Sequence, residues 1–131
     1  MKLTEHKIQH QIVEYLRLQK WIVVCTDIMA ALGHIDGKKR FAFIKHYKNM
    51  GWQKGTADLI AFKKGHCVFF EVKRDKKQNL SEEQIVFKCE IEAMGYKHYV
   101  VTSLDEVIHI LEVSNENIQP TNKRSGIKSA T

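Results

Sequence analysis

Glu71-Val72-Lys73 closes an apolar run, and Asp58 stands at the head of another. An acid and a lysine two residues apart on an extended strand share one face. Stretches 56–62 and 67–73 are rich in β-branched and aromatic residues, and Lys63-Lys64-Gly65-His66 separates them as a turn. Gly65 supplies the positive φ of a tight hairpin. With Lys64 and Gly65 as the loop, Lys63 pairs with His66, and counting outward sets Asp58 opposite Glu71. Their Cβ atoms then lie about 5 Å apart, with Lys73 on the same face. Val68, Phe70 and Val72 point the other way with Ala57, Leu59 and Ala61. Both faces are largely apolar through the middle of the hairpin, which implies inner strands covered on both sides.

Two facing carboxylates repel unless something positive lies between them. A hard divalent cation meets that need through oxygen ligands, and Mg²⁺ suits a site with few protein ligands and a phosphate partner. Lys73 could orient an attacking water or offset charge on the transferring phosphoryl group. The competing structural reading is an acid–lysine ion pair at the fraying end of a hairpin.

The elements that must position this set can be read in order. Thr4 caps a helix running to about Gln19, with Ile8, Ile12, Tyr15 and Leu16 as its apolar stripe. Glu5 and Gln9 continue that face toward its N-terminal end. If the helix packs near the acidic end of the sheet, Glu5 is the natural third carboxylate and Gln9 its hydrogen-bonding neighbour; simple helix N-terminal electrostatics explains Glu5 equally well. Trp21 to Thr26 reads as a strand, and Asp27 to Gly37 as irregular. Lys39 to Met50 has the spacing of a short basic helix, before the loop Gly51 to Gly55. Ser81-Glu-Glu-Gln84 is a capping box before Ile85, Cys89 and Met94, and the helix ends near Gly95. Tyr96 to Val101 is a strand, reached from 67–73 by a right-handed crossover. Ser103 with Glu106 makes a second capping box, opening a helix to about Val113.

The order α-β-(α)-β-β-α-β-α implies an α/β fold, a mixed sheet with helices on both faces. Residues 1–113 form one domain, and 114–131 a weakly basic tail without periodicity, expected to be disordered. No apolar run is long enough to span a membrane and no signal-peptide segment opens the chain, so a cytoplasmic location is expected. Cys25, Cys67 and Cys89 are an odd number in apolar contexts and suit buried thiols in a reducing compartment. His6 and His10, four apart on the first helix, lack companion ligands. No phosphate-binding glycine loop is present, which argues against a nucleotide-driven enzyme.

Net charge is +6, and its distribution carries more than its size. Lys38, Lys39, Arg40, Lys45, Lys48 and Lys54 fall in one stretch without an acid, a candidate surface for a nucleic-acid backbone. A solvated basic helix is the alternative.

The ordered set Glu5, Gln9, Gly55-Thr56-Ala57-Asp58-Leu59-Ile60, Glu71-Val72-Lys73-Arg74, Leu80-Ser81-x-x-Gln84 and Gly95 resembles the VRR-NUC branch of the PD-(D/E)xK nuclease superfamily. The short stand-alone members found in bacteriophages are the most similar, which would make the host cytoplasm the setting. The resemblance spans roughly Thr4 to Val113. It implies a restriction-endonuclease-like sheet and an endonuclease dependent on Mg²⁺ or Mn²⁺ that hydrolyses DNA phosphodiesters. By resemblance, the metal ligands are Asp58, Glu71 and the Val72 carbonyl, with Glu5 assisting. Lys73 is catalytic and Gln84 faces the site beside its capping role. Arg74 joins the basic residues as a DNA contact, and homodimers and a preference for branched or four-way junction DNA are further implications. Ala57 stands where the superfamily pattern has proline; the aspartate supplies the ligand, so the chemistry is retained. A catalytically inactive DNA-binding module of the same fold is the alternative function, and a homo-oligomeric scaffold a third.

Overall fold

The computed structural model describes residues 2–29 and 32–114. The elements are α1 (Glu5–Leu18), β1 (Ile22–Cys25), α2 (Gly37–Asn49), β2 (Leu59–Lys63), β3 (His66–Val72), α3 (Glu82–Ala93) and β4 (Lys97–Val101). A further helix, α4, occupies residues 104–114. This is the expected order; apart from Ser114, the expected tail lies outside the described residues.

The sheet runs β1-β2-β3-β4, antiparallel across β1–β2 and β2–β3 and parallel across β3–β4. Its mixed character and its flanking helices give an α/β, restriction-endonuclease-like arrangement. Lys63 pairs with His66 and Leu59 with Phe70, the register that turn chemistry predicted. Lys64 (φ 45°) and Gly65 (φ 82°) both take the left-handed conformation, as a two-residue turn of type I′ requires.

Alternation along β2 and β3 divides the molecule into layers. Leu59, Ala61, Val68, Phe70 and Val72 face α1 and α4, joining Ile8, Ile12, Leu16, Val107 and Leu111 in one buried cluster. Fully burying each large apolar side chain contributes about 1.5–3 kcal/mol. On the opposite face α3 covers the β3–β4 half, where Phe69 meets Phe87 at 5.7 Å between ring centroids. The β1–β2 half of that face is open: Ile22, Val24 and Phe62 are exposed.

Several local expectations need correction. Ile85, Cys89 and Met94 face solvent, and α3 turns Gln84, Phe87, Lys88 and Ile91 toward the protein. Apolar residues stand all round this helix, so their spacing does not select the face; the aromatic contacts of Phe87 with Phe69 and His98 do. Cys25 and Cys89 are exposed free thiols, because one lies at the end of an edge strand and the other on the outer face of α3. Only Cys67 is partly covered. The second capping box is shifted: Ser103 Oγ accepts from Glu106 N as expected, but the Glu106 carboxylate accepts from the Thr102 amide at 2.7 Å and from the Thr102 hydroxyl. None of the described helices is long and apolar enough to cross a membrane.

Candidate metal centre and nucleic-acid cleft

Asp58 directly precedes β2, so the Leu59–Phe70 pair extends to set it against Glu71. Backbone bonds fix it there: Thr26 N donates to Asp58 O at 3.1 Å, and the Thr26 hydroxyl donates to Ala57 O. Asp58 Oδ2 then accepts from Val72 N at 2.7 Å, crossing from the head of β2 to the end of β3. Asp58 lies close enough for its charge to act on Glu71. In extended backbone the N–H and C=O of one residue point to the same side. The Val72 carbonyl therefore faces the Asp58 side along with its amide.

Gly55 brings this segment against α3. Its φ of +90° is disfavoured for other residues, and a Cβ there would lie 2.5 Å from the Glu83 backbone carbon and oxygen. The close approach delivers the N-terminus of α3, and with it Gln84, to the carboxylate pair. Gln84 Oε1 accepts from Ser81 N at 2.9 Å and from Lys73 Nζ at 3.1 Å, while its Nε2 donates to Glu71 Oε2 at 3.2 Å. The capping box is complete as well. One side chain thus caps α3 and ties Lys73 to Glu71.

The ammonium of Lys73 is buried, yet among the described residues it forms no ion pair within 4 Å of either acid. That arrangement weighs against the simple ion-pair reading. Burial pushes Asp58 upward from its ordinary range. Burial first, and then the neighbouring Asp58, push Glu71 from 4.5 up to about 9. Without a cation the pair therefore retains a proton at neutral pH.

Glu71 Oε1 is buried and has no hydrogen-bond partner among the described residues. An orphaned carboxylate oxygen beside a second carboxylate, with a backbone carbonyl on the same side, is a donor set suited to a hard divalent cation. Glu5 is near enough for its charge to act on both acids. No group of three His, Cys, Asp or Glu side chains converges closely enough to hold a metal among the described residues. Gln9, the expected neighbour of Glu5, donates instead to Cys25 Sγ at 3.5 Å.

A cleft of about 330 Å³ opens over this site, lined in part by Asp27, Ile44, Lys48, Lys54, Asp58 and Gln84. Two members of the basic stretch, Lys48 and Lys54, therefore stand beside the acids; Lys54 also pairs with Glu83 at 3.3 Å. Lys38, Lys39 and Lys45 lie exposed on α2. Arg40 is engaged structurally, donating to Leu32 O at 2.9 Å, and Arg74 lies 3.7 Å from Asp75. A larger cavity, of about 520 Å³, lies at the turn end near Lys64, Tyr96 and Leu111 and holds none of the acid–acid–lysine set.

Thr26 and Asp27 were not singled out by sequence reasoning. The signal was present in the pairing: β1 runs antiparallel to β2, which carries the residues following Cys25 to the head of β2.

Two solved structures share this architecture. One, a "VRR_NUC domain protein", superposes with a TM-score of 0.64 at 19% identity, over 86% of this chain and 88% of that one. Another, a "VRR_NUC domain", gives 0.60 at 19% identity, over 83% of this chain and 95% of its own. The chain has the fold of VRR_NUC domain structures, as its ordered residues led one to expect. No family model and no curated protein sequence matches it.

Proposed function

We propose that this protein is a divalent-metal-dependent endonuclease hydrolysing DNA phosphodiester bonds, with Asp58, Glu71 and the Val72 carbonyl as ligands for Mg²⁺ or Mn²⁺. The observation that carries the reading is the buried, unpartnered Glu71 Oε1 beside Asp58, with Lys73 held at 3.1 Å from Gln84. A bound cation would polarise the scissile phosphate and lower the pKa of a water.

The chain's own groups do the positioning. Asp58 is oriented by the Val72 amide, and Glu71 by the Gln84 amide. Lys73, steadied by Gln84 Oε1, places a positive charge where it can orient the water or balance charge growing on the phosphoryl oxygens. Glu5 acts on the water or cation from the end of α1. Lys48 and Lys54 line the entrance, with Lys38, Lys39, Arg40, Lys45 and Arg74 extending the positive field toward the DNA backbone. The exposed Ile22 and Val24 of edge strand β1, with Phe62 of β2, offer an apolar surface to a second copy, which supports a homodimer.

The test is a cleavage panel of linear duplex, flapped, single-stranded and four-way DNA with Mg²⁺ or Mn²⁺, run beside Lys73→Ala. Metal-dependent cutting that Lys73→Ala loses is expected. Salt-dependent DNA binding by the wild-type chain without any cutting would instead identify an inactive DNA-binding module. Cutting confined to four-way crossings would mark a resolvase.

A further inference from the structure

Helix α2 is anomalous for a packed domain. None of its 13 residues is buried, and it contains no acid. Phe41 is its most exposed large hydrophobic residue, at 74%. Helical spacing places Lys38, Lys45 and Lys48 at i−3, i+4 and i+7 from Phe41, a strip of three cations around one aromatic ring. Lys48 and Ile44 line the cleft that holds Asp58. At 1.5 Å per residue, the strip runs about 15 Å outward from the cleft to Lys38.

Exposing a phenyl ring to water is unfavourable unless it has a partner, and the surrounding charge limits what that partner can be. A second copy of α2 would bring like charges together, whereas the uncharged Ile22, Val24 and Phe62 face suits self-association better. A polyanion with aromatic rings of its own satisfies both features. Single-stranded nucleic acid is bound in this way, phosphates to cations and bases stacked on aromatic faces, while a duplex keeps its bases within its own stack.

Resting on the nuclease reading above, we infer that Phe41 is a stacking platform for an unpaired base of the strand entering the cleft, with Lys38, Lys45 and Lys48 contacting its phosphates. DNA carrying unpaired nucleotides beside the scissile bond is then the preferred substrate class. Fully paired four-way junctions leave Phe41 unused.

The experiment measures affinity for a labelled oligothymidine, a blunt duplex and a flapped duplex at fixed salt in EDTA, which prevents cutting. Phe41→Ala is expected to weaken oligothymidine and flap binding about tenfold, within the range for one stacked base. Duplex affinity and the salt slope should stay unchanged, and Phe41→Tyr should retain single-strand binding. Because Phe41 is exposed, the variant is expected to fold, which circular dichroism checks. Unchanged oligothymidine affinity in Phe41→Ala, or an equal loss on duplex, overturns the inference. So does a shift from dimer to monomer in light scattering without a single-strand effect, which would assign this face to self-association. The two readings fail separately. Failure of the wild-type chain to cut any DNA with Mn²⁺ would remove the nuclease reading and leave the binding result standing; retained cutting with no Phe41 effect would do the reverse.

Discussion

The two faces of β3 are built to different ends. Val68, Phe70 and Val72 lie against α1 and α4 in a core where alternate residues of the hairpin are apolar and almost wholly buried. Phe69, Glu71 and Lys73 face the other way, where one aromatic anchors α3 and two buried ionisable groups follow it. The first face satisfies the requirements of folding. The second leaves a carboxylate oxygen without a partner among the described residues, an arrangement that costs stability and that the proposed cation would relieve. Because both faces hang on one strand, the rigid face fixes the position of the reactive one.

The contrast breaks most visibly in a crossed pair of variants. Phe70→Ala should lower unfolding free energy by about 3–5 kcal/mol in urea titrations. Lys73→Ala should leave the urea midpoint nearly in place while reducing Mn²⁺-dependent cleavage on the order of 10³-fold. Similar effects of both variants on stability and activity would erase the distinction between the faces.

Gly55→Ala probes the hinge between them. The new Cβ meets Glu83 backbone, so a loss of about 2 kcal/mol or more is expected, with cleavage falling further as Gln84 is pushed away. Thermal melts and single-turnover rates measure the two parts.

The pH dependence should sharpen the comparison further. Glu71 is held above its ordinary value, so the folded chain binds the extra proton and metal-free stability falls as pH rises from 4.5 toward about 9. Glu71→Gln removes that alkaline fall, and Mn²⁺ should raise the melting temperature more at pH 8 than at pH 6. His98, on the same sheet face, has the opposite sign. Burial, and then the charge of Lys88, push it from 6.5 down to about 4, so its contribution is full above 6.5 and is lost as pH falls toward 4. Melts of His98→Phe across that window should lack the acid slope.

The smallest effect belongs to the turn, remote from the site. Lys64 sits at φ 45°, and replacing it with Gly should stabilise by less than about 1 kcal/mol without altering cleavage.

The hairpin was legible because a two-residue turn leaves a single register, and a period of two then assigns every side chain to a face. Gln84 was legible twice over, as a cap and as a site residue, and it serves both roles at once. The orientation of α3 was not, since Ile85, Val86, Phe87, Cys89 and Ile91 leave no polar side to mark solvent. Burial of Cys25 and Cys89 was inferred from apolar neighbours, but an edge strand and an outward helix face expose such residues regardless. Asp27 stood in an irregular segment whose place is set by β1–β2 pairing, a tertiary fact that no local pattern carries.

The central claim is that Asp58 and Glu71 form a metal-binding cleavage centre. Its most direct test is Mn²⁺-dependent cleavage of a flapped DNA by Asp58→Ala beside the wild-type chain, with Mn²⁺ binding followed by calorimetry. Loss of both binding and cleavage in the variant is the predicted result; full cleavage by Asp58→Ala would contradict it.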